Sequence, residues 1–122
     1  MKILVVDDER DIQALFEQKF RKEIKDKTLE FAFAFSGEEA LSYLKVPEHQ
    51  TVLILSDINM PGMSGLELLW RIKQLYSVPP PVVIIITAYG DAENYQKAKD
   101  LGADDFLTKP VDFNYLKEKF KN

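Results

Sequence analysis

Hydrophobic and polar residues alternate along the chain in blocks that predict strands and helices in turn. Residues 3–6, 52–55 and 82–86 are short, almost wholly apolar runs, which are typical of buried strands. Between such runs, apolar residues recur every three or four positions, as in Ile12, Phe16 and Phe20, which indicates amphipathic helices. The pattern predicts strands over 3–6, 29–35, 52–55, 82–86 and 105–107, and helices over 11–24, 36–44, 64–75, 91–101 and 112–122.

Five strand-then-helix units predict a single α/β domain over residues 1–122. Strands that alternate with helices imply a parallel sheet covered on both faces, and right-handed crossovers make this a three-layer (βα)5 sandwich. The helix starts are marked by Ser36 and Ser64, each followed three residues later by Glu, and by Asp91 and Asp112 as N-caps. Periodicity alone does not set the strand order, for which the flavodoxin-like 2-1-3-4-5 is one common solution.

The composition narrows the class of protein further. Apolar residues make up 46% and charged residues 30% of the 122 residues, a mixture typical of soluble globular domains. The absence of cysteine excludes disulfides, thiolate metal sites and cysteine nucleophiles. The net charge of −4 argues against nucleic-acid binding, and no apolar run resembles a membrane span or a signal peptide. We therefore expect a cytoplasmic protein that binds neither nucleic acid nor membrane directly.

Polar residues with distinct chemistry follow the predicted strands where each strand ends. They are Asp7 and Asp8, Asp57, Thr87 and Lys109. In the 2-1-3-4-5 order these residues share the carboxyl edge of the sheet, where open α/β sheets bind ligands. Clustered carboxylates repel one another unless a cation joins them, and Mg²⁺ is the divalent ion that best suits oxygen ligands. A lysine and a threonine hydroxyl beside that ion suit a phosphoryl group.

Asp57 is the candidate nucleophile of this cluster. It ends the central strand and leads into a loop rich in proline and glycine, residues 58–65, that can expose backbone carbonyls near a metal. An aspartate carboxylate can accept a phosphoryl group as an aspartyl-phosphate. Asp7 and Asp8 are adjacent, so in an extended segment their side chains point to opposite sides. We expect Asp8 to be the direct metal ligand and Asp7 to act through water.

Four segments of the chain resemble the receiver domain of bacterial two-component response regulators. They are residues 1–9 (MKILVVDDE), 55–65 (LSDINMPGMSG), 86–89 (ITAY) and 101–110 (LGADDFLTKP). The first is similar to the opening strand and acid pair of that family, and the second to the segment around its phosphorylated aspartate. The third and fourth are similar to the switch-hydroxyl segment and to the last strand with its lysine. The resemblance extends over essentially the whole chain.

The resemblance implies a role for each of these residues. Asp57 would be the phosphoacceptor, with Thr87 and Lys109 contacting the phosphoryl oxygens. Mg²⁺ would bind Asp8, Asp57 and the backbone carbonyl of Asn59, with Asp7 assisting. Phe106 matches the aromatic switch position of the family. The phosphodonor would be a sensor histidine kinase, a histidine phosphotransfer protein or acetyl phosphate, and the Lys109–Pro110 bond is expected to be cis.

Two other classes of protein remain open on the sequence. A Mg²⁺-dependent aspartyl-phosphate hydrolase usually carries Asp-x-Asp, whose second acid acts in general acid–base catalysis, but here that second position is Asn59. A receiver-like module that only binds partners would not need the complete site. We therefore expect a regulatory phosphoacceptor that catalyses only its own phosphorylation and slow dephosphorylation, not a turnover enzyme.

The sequence leaves open what the domain acts on once it is phosphorylated. The resemblance implies that phosphorylation moves Thr87 and Phe106 and reshapes the surface of the fourth predicted helix, the fifth strand and the fifth predicted helix. A stand-alone receiver, a phosphorelay intermediate, a truncated regulator and a homodimer formed on phosphorylation all remain open. The predicted helix over 112–122 contains no arginine, unlike the charged dimer contact of the winged-helix branch of the family.

Overall fold

Strands and helices alternate along the whole of the computed structural model, which describes residues 1–47, 50–75, 81–87 and 91–121. No helix within that described part is long and apolar enough to cross a membrane. The strands are β1 (Lys2–Val6), β2 (Glu30–Ala34), β3 (Leu53–Asp57), β4 (Val82–Thr87) and β5 (Asp105–Thr108). The helices are α1 (Asp11–Lys19), α2 (Arg21–Lys25), α3 (Gly37–Leu44), α4 (Gly65–Leu75), α5 (Ala92–Asp100) and α6 (Phe113–Phe120).

The five strands form one parallel sheet in the order β2-β1-β3-β4-β5. This confirms the predicted fold class and strand order. The register aligns the carboxyl ends of neighbouring strands, with Val6 opposite Ser56 and Thr87 opposite Thr108. The ends of β1, β3, β4 and β5 therefore lie side by side along one edge of the sheet.

Apolar side chains fill the space on both faces of this sheet. On one face, α3, α4 and α5 pack on the strands, and Leu68 and Ile72 of α4 have no exposed surface. On the other face, α1 and α6 pack over a cluster of aromatic rings that includes Phe16 and Phe20. Successive strand residues point to opposite faces, so wholly apolar strands are what a sheet covered on both sides requires.

The helix predicted over 11–24 is wrong as a single element. It breaks at Phe20, whose backbone (φ −111°, ψ 24°) leaves helical geometry, and the chain resumes as the short α2. The Phe20 ring is fully buried, with its centroid 5.1 Å from that of Phe31 and 5.6 Å from that of Phe120. Packing against distant segments thus interrupts a helix that local spacing would continue. The described residues therefore contain six helices beside the five strands.

The predicted helix caps are present. The Ser36 hydroxyl accepts a hydrogen bond from the Glu39 amide at 3.1 Å, and Asp91 and Asp112 cap α5 and α6. In a complete capping box, the Glu39 carboxylate would accept a hydrogen bond from the Ser36 amide. Here it accepts one from the Phe35 amide instead, at 3.5 Å. These caps give α3, α5 and α6 a defined start just beyond the edge that carries the candidate site.

Candidate functional site

The carboxyl edge of the sheet brings the predicted site residues together. Asp57 is the last residue of β3 and Thr87 the last of β4, while Asp7 follows β1 directly. The Asp7 amide donates to the Ala34 carbonyl at the end of β2, which fixes the turn out of β1. Asn59 is exposed two residues beyond Asp57 in the loop to α4. Residues 88 and 89, which complete the third sequence motif, lie outside the described residues.

Three carboxylates form the acidic part of this site. One oxygen each from Asp7, Asp8 and Asp57 lies within 4.8 Å of the other two. Asp7 and Asp57 are 6% and 4% exposed, whereas Asp8 faces solvent. A donor set of carboxylate oxygens, two buried and one open to solvent, suits a hard divalent cation that keeps part of its water shell, as Mg²⁺ does.

The two adjacent acids are not separated in the way that strand alternation predicts. β1 ends at Val6, so Asp7 and Asp8 both lie in the turn beyond the strand, where alternation no longer applies. The turn is held by the Glu9 amide, which donates to Asp7 Oδ1 at 2.9 Å. Both carboxylates can therefore approach Asp57 from the same side of the chain.

Burial and like charge act together on Asp7. Burial raises the pKa of the Asp7 carboxyl, and the negative charge of Asp57 adds to that rise. The hydrogen bond from the Glu9 amide and the positive charge of Lys109 lower the pKa but do not cancel the rise. The net increase in the pKa comes mainly from burial, with the charge of Asp57 adding to it, and a bound cation would oppose both effects.

Lys109 is the cation of the site. Its ammonium nitrogen lies 3.0 Å from Asp57 Oδ2, joining the end of β3 to the segment after β5. Burial would lower the pKa of Lys109, but the hydrogen bond and charge of Asp57, with the charge of Asp7, outweigh this and raise it. Lys109 is thus held charged beside the candidate nucleophile. The Lys109–Pro110 bond is cis, as the resemblance implied.

Thr87 and Phe106 lie on the neighbouring strands β4 and β5. Thr87 is 2% exposed, and its hydroxyl donates to the Leu107 carbonyl at 3.4 Å, a long hydrogen bond. The Thr87 carbonyl accepts from the Lys109 amide at 2.9 Å. The half-buried Phe106 ring packs beside the exposed Tyr95 of α5, with ring centroids 4.4 Å apart. The two predicted switch residues are therefore connected to the site and to the surface of α5.

Gly65 is a site residue whose role was missed in the sequence. Its amide donates to the Ile58 carbonyl at 2.8 Å. A Cβ atom on Gly65 would overlap the Asp57 carbonyl oxygen and lie 2.7 Å from Ile58 Cα. Glycine at the start of α4, where alanine favours the helix more, was the available signal. Its lack of a side chain lets α4 pack directly on the backbone of Asp57.

Comparison with known proteins shows the family to which the chain belongs. The sequence model described as response regulator receiver domain matches residues 3–121. The chain therefore belongs to the receiver-domain family of two-component response regulators, as the four motifs predicted.

Individual relatives agree with this assignment. The chain is 37% identical to sporulation initiation phosphotransferase F of Bacillus subtilis, over 98% of this chain and 90% of that protein. It is 35% identical to the response regulator ArlR of Staphylococcus saprophyticus, but there the match covers 94% of this chain and only 48% of the relative.

Solved structures show the same fold. A response regulator receiver domain protein from Clostridium thermocellum superimposes with a TM-score of 0.84 at 31% identity, covering 99% of this chain and 91% of that one. A second similar structure is the receiver domain of a Saccharomyces cerevisiae response regulator in a co-crystal with its histidine phosphotransfer protein. It has a TM-score of 0.84 at 27% identity and covers 99% and 86% of the two chains.

Proposed function

We propose that this receiver domain, residues 1–122, accepts a phosphoryl group on the carboxylate of Asp57. The observation that carries the proposal is the environment of that carboxylate, which is buried, flanked by Asp7 and Asp8, and held 3.0 Å from the ammonium group of Lys109. A nucleophile fixed between a cation and a metal-binding pair of acids suits phosphoryl transfer, which depends mainly on positioning and charge neutralisation.

Mg²⁺ is the cofactor that this donor set fits. Asp8, Asp57 and the backbone carbonyl of Asn59 would hold the ion, with Asp7 assisting. When bound, Mg²⁺ would neutralise charge on the phosphoryl oxygens and so favour attack at phosphorus. The raised pKa of Asp7 supports the proposal, because crowded acids gain most from a bound cation.

The donor is a phosphohistidine, carried by a sensor histidine kinase or by a histidine phosphotransfer protein. An oxygen of the Asp57 carboxylate bonds to phosphorus as the phosphorus–nitrogen bond breaks, and the electron pair of that bond remains on the imidazole. With acetyl phosphate, the bond from phosphorus to the bridging oxygen breaks and acetate leaves. Lys109, already charged beside Asp57, neutralises the transferred group.

Phosphorylation would then act on Thr87 and Phe106. The Thr87 hydroxyl gives up its long hydrogen bond to the Leu107 carbonyl and donates to a phosphoryl oxygen instead. Phe106 turns inward into the space left by Thr87 and loses its contact with Tyr95. Because the phosphate can only bias states that differ in their contacts, this exchange is what would reshape the surface of α5, β5 and α6.

The role proposed is regulatory and is not that of a turnover enzyme. Asn59 stands where hydrolases that form aspartyl-phosphates carry a second acid, so the residue needed to activate water there is missing. The phosphoryl group is therefore retained long enough to act as a signal.

The proposal is tested by Phos-tag electrophoresis after incubation with acetyl phosphate and Mg²⁺. We expect a retarded band for the wild-type protein, none for Asp57→Asn, and none when EDTA removes Mg²⁺. Asp100→Asn is the matched control, since it makes the same chemical change at an exposed acid of α5, and it should retain the band. A band that persists in Asp57→Asn would refute the assignment of the phosphoacceptor.

A further inference from the structure

Basic side chains gather at the opposite end of the molecule from the phosphoacceptor. α1 and α6 begin near the carboxyl edge of the sheet, and both end at the amino edge, where α2 also lies. A groove of about 550 Å³ there is lined by five basic residues, which are Lys19, Arg21, Lys22, Lys25 and Lys117. This concentration of positive charge stands out on a chain whose net charge is −4.

The five cations of this basic groove form no ion pair with any described residue, although Glu23 and Asp26 also line it. Within the described part of the chain, no carboxylate lies within 4.0 Å of any of them, although seven other basic residues form ion pairs. Lys19 and Lys117 instead lie 5.8 Å from the centres of the Phe113 and Phe20 rings. The preference of lysine for the last turn of a helix explains Lys19, Lys22, Lys25 and Lys117 singly, but not Arg21, which begins α2. Folding brings these unpaired cations of three helices together.

A second groove, of about 790 Å³, adjoins the first and adds apolar surface to it. The two grooves share Lys22, Glu23 and Lys117 in their linings. The second groove is also lined by Leu29 and Phe120, which are only 6% and 5% exposed. The combined surface therefore offers cations along its rim and an apolar floor.

We propose that the basic groove and its neighbour bind an acidic, amphipathic segment of a partner protein. Carboxylates of that segment would pair with the unpaired cations, and its apolar side chains would cover the floor formed by Leu29 and Phe120.

Nucleic acid and anionic membrane fit this surface less well. Phe120, the aromatic residue in the lining of the second groove, is 5% exposed, which allows contact with an aliphatic side chain but leaves no ring face on which a base could stack. Glu23 and Asp26 interrupt the row of cations, which disfavours the continuous negative charge of a nucleic-acid backbone or an anionic membrane.

The experiment is fluorescence anisotropy with a labelled peptide of alternating glutamate and leucine residues, titrated with the full chain at low ionic strength. Lys22→Glu/Lys25→Glu reverses two exposed charges of the basic groove, neither of which holds the fold together. Lys45→Glu/Lys99→Glu is the matched control, with the same net charge and two exposed positions outside both grooves. We expect the groove variant to bind at least about tenfold more weakly than wild type, and the control to change by less than about threefold.

Three results would overturn the proposal. They are no saturable binding of the peptide by the wild-type protein, equal weakening in both double variants, and tighter binding of poly-uridylate RNA or phosphatidylglycerol vesicles than of the peptide. The proposal does not rest on phosphoryl acceptance at Asp57. Both double variants should still be phosphorylated by acetyl phosphate, and scoring this on the same preparations keeps a failure of one claim distinct from a failure of the other.

Discussion

Lys109 sets the charge balance of the site. Its ammonium group opposes the carboxylates of Asp7, Asp8 and Asp57, which leaves a formal charge of −2 in the cluster. The hydrogen bond to Asp57 is also the contact that a phosphoryl group on that residue would have to share or replace. Under the proposed function, Lys109 would therefore both aid phosphoryl transfer and compete with a bound cation for the same acids.

Replacing Lys109 should consequently change metal binding and phosphorylation in opposite directions. In Lys109→Gln we expect Mg²⁺ to bind more tightly by at least about 1 kcal/mol, the Coulomb energy of two unit charges about 4 Å apart in water. Calorimetric titration measures this change, and phosphorylation by acetyl phosphate should be slower because the transferred group loses its counter-charge. Lys99→Gln, at an exposed position of α5, is the control. Unchanged or weaker Mg²⁺ binding in Lys109→Gln would be inconsistent with this charge balance.

At the scale of elements, the junction of β3 with α4 positions Asp57, the proposed nucleophile. Gly65 packs on the backbone of Asp57 and Ile58 so closely that no side chain fits between them. The contact fixes the distance between α4 and the end of β3, and therefore the orientation of the Asp57 backbone at that end.

Gly65→Ala distinguishes the effect of this close approach from that of helix propensity, because the two effects change the free energy of unfolding in opposite directions. Propensity alone predicts that alanine stabilises α4 by about 1 kcal/mol. The overlap with the Asp57 carbonyl instead predicts a loss of about 1–3 kcal/mol, since the backbone must shift to admit a methyl group. Urea denaturation measures the sign, and a variant more stable than wild type would show that the approach does not constrain the junction.

A second junction ties β5 to α6 on the face of the sheet opposite to the Phe106 ring. Asp105 Oδ2 pairs with Lys119 and accepts a hydrogen bond from the Tyr115 hydroxyl at 2.9 Å. Burial would raise the pKa of Asp105, but Lys119, the Phe106 amide and Tyr115 outweigh it and lower the pKa below 3.8. The charged form of Asp105 thus contributes to holding α6 against β5.

The lowered pKa of Asp105 fixes the sign of a pH dependence. The contribution is present above the ordinary pKa of 3.8 and is lost as the pH falls through the lowered value of the folded state. Asp105→Asn keeps the acceptor for the Phe106 amide but removes the charge, and should cost about 1 kcal/mol at neutral pH. Denaturation at a series of pH values should show this difference shrinking below pH 4 or so. A difference that is constant with pH would exclude a charge-based role for Asp105.

At the scale of the whole molecule, the site depends on a sheet that is buried on both faces. The aromatic cluster under α1 and α6 centres on Phe16, whose ring contacts those of Phe20, Phe31, Phe33 and Phe113. These contacts join α1, β2 and the start of α6, and α1 and α6 flank the strand ends that carry Asp7 and Lys109. The cluster therefore helps to hold α1 and α6 in place beside the site.

Truncation of Phe16 should destabilise the whole domain. Phe16→Ala removes a fully buried ring and should cost about 3–5 kcal/mol, as large cavities in protein cores do. The half-buried Phe35, whose ring lies under Arg10 and outside the cluster, is the comparison, and Phe35→Ala should cost clearly less. Thermal denaturation ranks the stabilities of the two variants, and equal losses of stability would contradict a central role for the aromatic cluster.

Sequence reasoning reached the strand-end residues because they follow from periodicity and from the geometry of parallel sheets. The strand order did not follow from periodicity; it was one common solution for five such units, and the structure confirms it. Sequence reasoning failed at Phe20, since ring packing with distant segments breaks a helix that local spacing continues. It missed the role of Gly65, because the close approach exists only after α4 packs on β3. The basic groove was hidden for the same reason, since residues 19–25 and Lys117 become neighbours only through folding.

The central claim is that the carboxylate of Asp57 carries the phosphoryl group. Reduction of the phosphorylated protein with borohydride converts an aspartyl-phosphate to homoserine, and tandem mass spectrometry of its peptides identifies the altered position. We expect homoserine at position 57 alone, and only after incubation with phosphodonor and Mg²⁺. Homoserine at position 7 or 8, or an unaltered residue 57 in protein that Phos-tag electrophoresis shows to be phosphorylated, would contradict the account.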